Sequence, residues 1–374
     1  MATLFKSFLK LHTYRSVQYS TVQNGNKMQA WQIHSYGDLT ELQLTKARIP
    51  CIEDPKDVLV AVKAASVNPI DLLMIEGYGR TTFNIFRNNS LEFPLTLGRD
   101  FAGVVLDKGQ DVEKFNVGDK VYGVIPIQRQ GSHAEQLLIN ESHVLLQPSH
   151  LKPVEAASTL YTAMTAWSAL FITGGLLMKS PSNLKVLILG ASGGVGTMAI
   201  QILRSKSIYT IGTCSTDAVP LVRALGANNA YDYTTKTFES QIEQEGMFDI
   251  ILDCANLGHT NIPKLWKYKN YISLNSPLIK NTDKFGVLGG LSTSICQLLE
   301  SNISKLPNSQ SIRWGYFIPS ESGLQFIDEL IKSKKILPAI HKVFGFNDLP
   351  TAYKTLSDGH TRGKIVIEMN NCNT

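Results

Sequence analysis

Leu184-Lys-Val-Leu-Ile-Leu-Gly-Ala-Ser-Gly-Gly-Val-Gly196 is the stretch that decides the fold. It opens as a short apolar run suited to a buried strand and closes in residues small enough for a sharp turn. Just beyond, Val195, Ala199, Ile202 and Leu203 share one face of a helix. Strand, glycine turn and amphipathic helix in that order place a helix N-terminus where its free N–H groups can meet phosphate. Read as a dinucleotide fingerprint, the turn is Ala191-x-Gly193-x-x-Gly196, with alanine in the first glycine place. Gly193 then permits backbone to approach a pyrophosphate, and Gly196 permits the helix to pack close on the strand.

The pattern continues downstream. Strands are expected at 209–213, 231–233, 248–253, 271–274 and 314–318, with helical stretches between them. Repeated β-α units of this length imply a parallel, doubly wound sheet. Upstream, from Met28 to about Gln147, short apolar runs at 58–62, 104–106, 120–124 and 137–139 alternate with Gly, Pro, Asp and Asn clusters. That reads as a compact β-rich domain, a distorted barrel. After Pro319 the sequence predicts one amphipathic helix, through Leu324, Ile327, Leu330 and Ile331, and a closing strand at 364–367. The whole chain of 374 residues suits two or three domains at roughly 150 residues each.

The end of the second strand bears on which dinucleotide fits. A site selecting NAD usually carries Asp or Glu there, about 20 residues past the glycines, to hold the ribose 2′-OH. Here the sequence is Gly212-Thr213-Cys214-Ser215. With no carboxylate to repel it, a 2′-phosphate is admissible and Ser215 can donate to it, which selects NADPH. Asp217 is expected to cap the next helix.

Charge is unevenly placed. The chain has 36 Lys/Arg against 31 Asp/Glu, yet no acid precedes Asp38. Residues 1–27 hold Lys6, Lys10, Arg15 and Lys27 with six Ser/Thr, and Leu4, Phe5, Phe8 and Leu9 gather on one side of a short helix. That is the composition of a mitochondrial presequence. Setting those four basic residues aside leaves 32 against 31, so the folded part is nearly neutral and gives no sign of an acidic partner. The basic, aromatic stretch 264–271 reads as a helix end running into a strand, not as a nucleic-acid site. Residues 156–178 are 23 without a charge, but six Ser/Thr and the pair Gly174-Gly175 favour a buried helix joining two domains over a membrane span. Five scattered cysteines suggest reduced thiols.

Several further stretches together resemble the quinone oxidoreductase branch of the medium-chain dehydrogenase/reductases. They are Val67-Asn68-Pro69-Ile70-Asp71, Phe93-Pro94-Leu95-Thr96-Leu97-Gly98-Arg99-Asp100, Gly118-Asp119-Lys120-Val121, Thr165-Ala166-Trp167 and Arg362-Gly363-Lys364, with the glycine turn. The likeness covers 28–369. It implies an α/β chain with a GroES-like β-rich catalytic domain built from 28–152 and the returning segment 319–374. A Rossmann-type domain, 153–318, lies between them, with the active site in the cleft. It also implies NADPH as cofactor, a mitochondrial matrix location and a link to coenzyme Q (ubiquinone) metabolism. By position, Ser192, Gly193, Gly194, Val195 and Gly196 would line the pyrophosphate, and Ser215 and Tyr233 the 2′-phosphate. Thr165 and Phe317 would sit near the nicotinamide, and His360 with Arg362 would close over the cofactor. Core packing for Thr165 and Phe317, and a solvated strand edge for Arg362 and Lys364, are the plainer alternatives.

The alcohol dehydrogenases in this superfamily hold a catalytic zinc through a Cys in the first motif and a His in the second. Here those motifs read Asn68-Pro69-Ile70-Asp71 and Gly98-Arg99-Asp100, and no Cys lies between 51 and 214, so no zinc is expected. Without a Lewis acid, hydride removal from an unactivated alcohol is hard, whereas reduction of a quinone or activated enone needs mainly positioning. The polar candidates for catalysis are Tyr78, as proton donor, with Asn68 and Asp71, which could instead cap a turn. An enoyl-thioester reductase and a nucleotide-bound scaffold protein stay open as alternatives. So do a homodimer and mitochondrial protein partners.

Overall fold

The computed structural model describes residues 27–369 except 86 and 88–90. The expected presequence, apart from Lys27, lies outside the described residues. Three sheets carry the rest. The first part of the chain supplies β1 (Lys27–Ile33), β2 (Gln43–Arg48), β3 (Asp57–Val67), β4 (Leu95–Thr96), β5 (Asp100–Lys108), β6 (Lys120–Val124), β7 (Gln136–Asn140) and β8 (Val144–Leu146). The middle supplies β9 (Lys185–Leu189), β10 (Tyr209–Cys214), β11 (Asn229–Asp232), β12 (Phe248–Asp253), β13 (Tyr268–Ser273) and β14 (Ser311–Trp314). β15 (Ile340–Gly345) and β16 (Lys364–Glu368) follow.

Strands β9–β14 form one parallel sheet in the order β11-β10-β9-β12-β13-β14. Strand order reverses direction at β9, so a crevice opens beyond the carboxyl ends of β9 and β12. Val186, Leu187 and Ile188 of β9 are fully buried, because helices cover both faces and leave no side for polar residues.

A seven-stranded sheet runs β15-β16-β3-β5-β6-β8, with β7 also on β3. β16 pairs antiparallel with β3, Ile365 opposite Val67, so the end of the chain completes the sheet its first third began. β3 is longer than the apolar run at 58–62 suggests. Register shifts between Leu59 and Val60, and between Val62 and Ala64, break the period of two.

Other expectations need correcting. The strand placed at 314–318 ends at Trp314, and the aromatic residues after it turn into the cleft. The returning segment holds β15 and a second helix, Leu349–Ser357, besides the helix Glu321–Lys332. A long helix, Leu278–Ile303, was not legible in the sequence. The uncharged run 156–178 does form buried helix, Leu160–Trp167 continuing through Ser168–Thr173. No described helix is long and apolar enough to cross a membrane.

Helix Glu321–Lys332 bridges the two halves. Leu324, Ile327, Leu330 and Ile331 join the core that includes Met164 and Trp167. On its other side, Tyr122 of β6 donates to Asp328 at 2.9 Å.

Candidate active site

The glycine turn lies beyond the carboxyl end of β9, and Gly193 caps a helix, Gly194–Ser205. Its first free N–H groups point out of the turn, because the first intrahelical bond is Thr197 N to Gly193 O. The glycines have different physical reasons. A Cβ on Gly196 would lie 2.4 Å from Gly190 O and 2.7 Å from Ala191 Cα, so this position sets the close helix–strand approach. A Cβ on Gly193 would meet only Gly190 O, at 3.5 Å, leaving open space where a pyrophosphate fits. Ala191, in the first glycine place, is accommodated by Gly212 on β10, whose Cβ would lie 2.7 Å from that of Ala191. Ser192 is nearly buried, and its carbonyl accepts from Gly363 N at 2.9 Å. Val195 packs its side chain on the core, so only its backbone faces the turn.

The end of β10 gathers five residues singled out by sequence: Ser215, Asp217, Tyr233, His360 and Arg362. Arg362 donates through Nη2 to Ser215 Oγ at 2.7 Å and through Nη1 to His360 O at 2.8 Å. Asp232 is in register with Cys214, which sets Tyr233, half exposed, beside Ser215. Asp217 does not cap a helix. It sits inside the short turn Thr216–Ala218, for which Ser215 is the capping position. Its carboxylate pairs with Arg362 at 3.1 Å and accepts from Ser215. Hydrogen bonds from Arg362 and Ser215 hold its pKa down at about 2. The edge therefore presents a cation already half-committed to a carboxylate. His360 and Gly359 both have positive φ, forming the tight turn that delivers Arg362.

Across the crevice, Phe317 stacks on Tyr161, with ring centroids 4.6 Å apart, and Thr165 Oγ1 donates to Tyr161 O at 2.8 Å. Tyr161, one helical turn before Thr165, was missed by the sequence reading, as was Tyr316, whose hydroxyl shares a hydrogen bond with Ser276. An aromatic residue a turn ahead of Thr165 is a signal, but a weak one. Tyr78 is half-buried, and its hydroxyl has no hydrogen bond among the described residues. Burial, with Tyr316 and Asp283 nearby, pushes its pKa up to about 12, so the phenol stays protonated. The loop that carries it is held by Asp283, which accepts from Gly79 N at 2.6 Å and Thr81 N at 2.9 Å.

Below the cleft lies a buried polar floor. Asn68 and Asp71 have no exposure at all. Asp71 accepts from Asn68 N at 2.9 Å and from Gly98 N at 3.0 Å, capping the helix Pro69–Ile75. Of the two roles open to this pair, these contacts describe the cap. Asn68 donates to Asp100 at 3.3 Å and accepts from Lys364 Nζ at 2.5 Å. Lys364, also buried, further donates to Val67 O and stands 4.0 Å from Asp100, so it is no solvated strand edge. Burial pushes its pKa down, against the pull of Asp100.

Arg99 is wholly buried too, donating to Pro126 O, Arg129 O and Thr96 O. Two acids and two bases out of water cost several kcal/mol each to desolvate, so the arrangement is better explained as fixing geometry than as adding stability. Residues in the two motif places that hold zinc elsewhere are thus engaged with each other and with backbone. No group of three or more His, Cys, Asp or Glu gathers at metal-binding distance among the described residues. A donor set of amide and guanidinium does not fit zinc.

A cavity of about 700 Å³ lined by Met28, Gln32, His34, Arg48 and Phe93 meets the floor of this cleft only at Thr96 and Arg129. None of the residues expected from the sequence to hold the cofactor or to act in catalysis lines it.

Comparison with known proteins agrees with this geometry. Residues 54–149 match a family model described as an alcohol dehydrogenase GroES-like domain, and 225–367 one described as a zinc-binding dehydrogenase. The latter title does not carry zinc over to this donor set. A Drosophila melanogaster protein named mitochondrial NAD(P)H oxidoreductase RTN4IP1 is 39% identical over 364 residues, covering 93% of this chain and 88% of that one. The Danio rerio protein of the same name is 39% identical over 373 residues, 96% of each. In Caenorhabditis elegans, mitochondrial reticulon-4-interacting protein 1 is 34% identical, covering 91% of this chain and 95% of its own. Among solved structures, the quinone oxidoreductase of Coxiella burnetii superposes with a TM-score of 0.73 at 24% identity, over 92% of this chain and all of that one, a likeness of fold.

Proposed function

This chain belongs to the quinone-oxidoreductase-like branch of the medium-chain dehydrogenase/reductases and is an NAD(P)H oxidoreductase, and from that premise we propose a zinc-independent reductase that uses NADPH to deliver hydride to a quinone or activated enone. We assign it to mitochondria, in the matrix, and to coenzyme Q metabolism. The acid-free basic leader and the names of its relatives support the mitochondrial part. We place the catalytic domain at 28–152 with 319–374 and the nucleotide domain at 153–318, a division supported by the separate sheets of β9–β14 and of β15 and β16 with β3.

The observation that carries the reading is the filled metal place. Asn68 and Arg99 stand where a Lewis acid would need ligands, and both are engaged by buried partners, Lys364 for the first and Asp71 with Pro126 O for the second. Such a site lacks the means to acidify an alcohol but suits an acceptor that is already electrophilic. Bound NADPH would supply the hydride. The chain's own residues do the rest. Gly193 clears space for the pyrophosphate, and the helix behind it directs N–H groups there. Arg362 and Ser215 offer donors to a 2′-phosphate, and Tyr161 with Phe317 and Thr165 walls the nicotinamide end. Tyr78, held protonated, gives its hydroxyl proton to the acceptor oxygen as that oxygen becomes anionic, and regains one from solvent. Asn68 and Asp71 hold the floor in place and position the residues above them.

The test is direct. The purified enzyme should oxidise NADPH in the presence of a soluble quinone and prefer NADPH to NADH. Absence of turnover with every quinone and enone would reject the reading. Faster turnover of an unsaturated acyl thioester would select an enoyl-thioester reductase instead.

A further inference from the structure

Tyr78 stands between two glycines, Gly77 and Gly79, whose φ angles of 87° and 82° are left-handed. Before it, Gly77 N and Tyr78 N bond back to Met74 O and Leu73 O, closing the helix Pro69–Ile75. After it comes the short helix Arg80–Ile85. Phe83 folds under the turn so closely that a Cβ on Gly79 would lie 2.1 Å from its Cε2. A turn built on two glycines has many conformations open to it, and a fixed one needs ties from elsewhere.

Those ties come from across the cleft. The stretch Ser276–Asp283 follows β13 of the parallel sheet and reaches the β-rich part, where Ile279 packs on the same core as Tyr78. At its start, Ser276 shares a hydrogen bond of 2.5 Å with the Tyr316 hydroxyl and accepts from Leu278 N at 3.1 Å. At its end, Asp283 takes Gly79 N on one carboxylate oxygen and Thr81 N on the other, at 2.6 and 2.9 Å. Thr282 shares a further hydrogen bond with Thr82, at 2.9 Å. One short strap therefore holds both Tyr316, which precedes the cleft-wall residue Phe317, and the turn that carries Tyr78.

A carboxylate bonded to two backbone N–H groups is a charge-assisted tie, stronger than a neutral one. The Tyr78 hydroxyl itself has no hydrogen bond among the described residues, so its aim depends on where the backbone is held. That aim matters, because a proton donor must come within hydrogen-bond reach of the acceptor oxygen, and a displacement of about 1 Å can cost 10²-fold in rate. We propose that Asp283 is a positioning residue for the reduction, holding Tyr78 toward the acceptor from the same strap that fixes Tyr316. The inference rests on Tyr78 as proton donor, as read above, and adds that the donor is aimed by a residue of the nucleotide-binding part.

Hydrogen exchange and steady-state kinetics on the full chain test this together. In Asp283→Ala the amides of Gly79 and Thr81 should exchange at least about tenfold faster, while the NADPH dissociation constant stays near the parent's. With a quinone, kcat should fall at least about tenfold. Adding Asp283→Ala to Tyr78→Phe should bring no further fall, because both remove one function. Asp283→Asn keeps one acceptor oxygen, so its kcat should lie between those of Asp283→Ala and the parent. It carries the same comparisons if the alanine variant melts early. Losses that multiply in the double variant overturn the proposal, as does an Asp283→Ala kcat within twofold of the parent's. Unchanged exchange at Gly79 and Thr81 overturns it whatever the chemistry. If Tyr78→Phe is as active as the parent, the donor reading fails and the role of Asp283 falls with it; faster exchange in Asp283→Ala then shows that the tie was real and the donor wrong.

Discussion

Arg362, two residues before the last strand, donates to Ser215 Oγ at 2.7 Å while its guanidinium bridges Asp217. The arginine thus links the returning segment to the edge of the nucleotide sheet, at the place where a 2′-phosphate would discriminate between cofactors. Exchange of Asp217 for that phosphate as the arginine's partner follows from the shared donor.

Arg362→Gln is accordingly expected to weaken NADPH binding at least about tenfold, the scale of a lost charge-assisted hydrogen bond, and to leave NADH nearly unchanged. Asp217→Asn should act oppositely, releasing the guanidinium and tightening NADPH. Fluorescence titration with both nucleotides reads the two effects. Equal losses for NADPH and NADH in Arg362→Gln would show that the arginine does not read the 2′ position.

Gly193 and Gly196 should separate binding from folding. Gly193 has an extended backbone, φ of −76°, and room for a side chain, so Gly193→Val should melt close to the parent protein yet fail to bind NADPH. Gly196→Ala must displace the helix from Gly190 and Ala191, an overpacking that costs about 1–3 kcal/mol. Thermal melts with and without NADPH distinguish them. A Gly193→Val protein that still gains stability from NADPH would contradict the assigned path of the pyrophosphate.

What the sequence revealed followed the strength of its patterns. β6, β9 and β12 were legible to the residue because buried strands are continuous apolar runs. The 314–318 strand was misplaced because Phe317 owes its apolar character to the cleft wall, where it stacks on Tyr161, and not to the sheet. Helix Leu278–Ile303 escaped notice because Gly286, Gly289 and Gly290 interrupt it and its apolar residues face outward. Cofactor contacts could be placed from the glycine turn and its motif neighbours. The roles of Asp217, Asn68 and Asp71 could not, since each depends on a partner distant in sequence: Arg362, Lys364 and Gly98.

His133 makes stability sensitive to acid. It is fully buried, with Nδ1 facing Tyr353 OH at 3.0 Å and Nε2 facing Ser66 O at 3.2 Å. The carbonyl can only accept, so Nε2 carries the proton and Nδ1 accepts from tyrosine. Burial lowers the pKa from 6.5 to about 3. Below 6.5 the unfolded chain takes up a proton that the folded one refuses, so stability falls as pH drops from 6.5 toward 3. Between pH 7 and pH 5 the loss from this residue should be about 2 kcal/mol. Urea unfolding at the two pH values measures it. His133→Asn should flatten that dependence, and an unchanged slope would assign the effect to other groups.

Tyr78→Phe is the sharpest probe of the chemistry. The hydroxyl has no hydrogen bond among the described residues, and the ring packs edge-on against Phe83, centroids 6.4 Å apart. Removing the oxygen therefore breaks no described hydrogen bond and keeps the packing, so the variant should fold and bind NADPH as the parent does. If the phenol protonates the acceptor oxygen, kcat with a quinone should drop by roughly 10²-fold, the lower end for loss of a general acid. The loss should shrink as pH falls, because solvent can then supply the proton. Steady-state NADPH oxidation across pH, with the nucleotide dissociation constant measured separately, reads both quantities. A kcat within twofold of the parent at neutral pH would remove Tyr78 as donor and leave protonation to solvent entering the cleft.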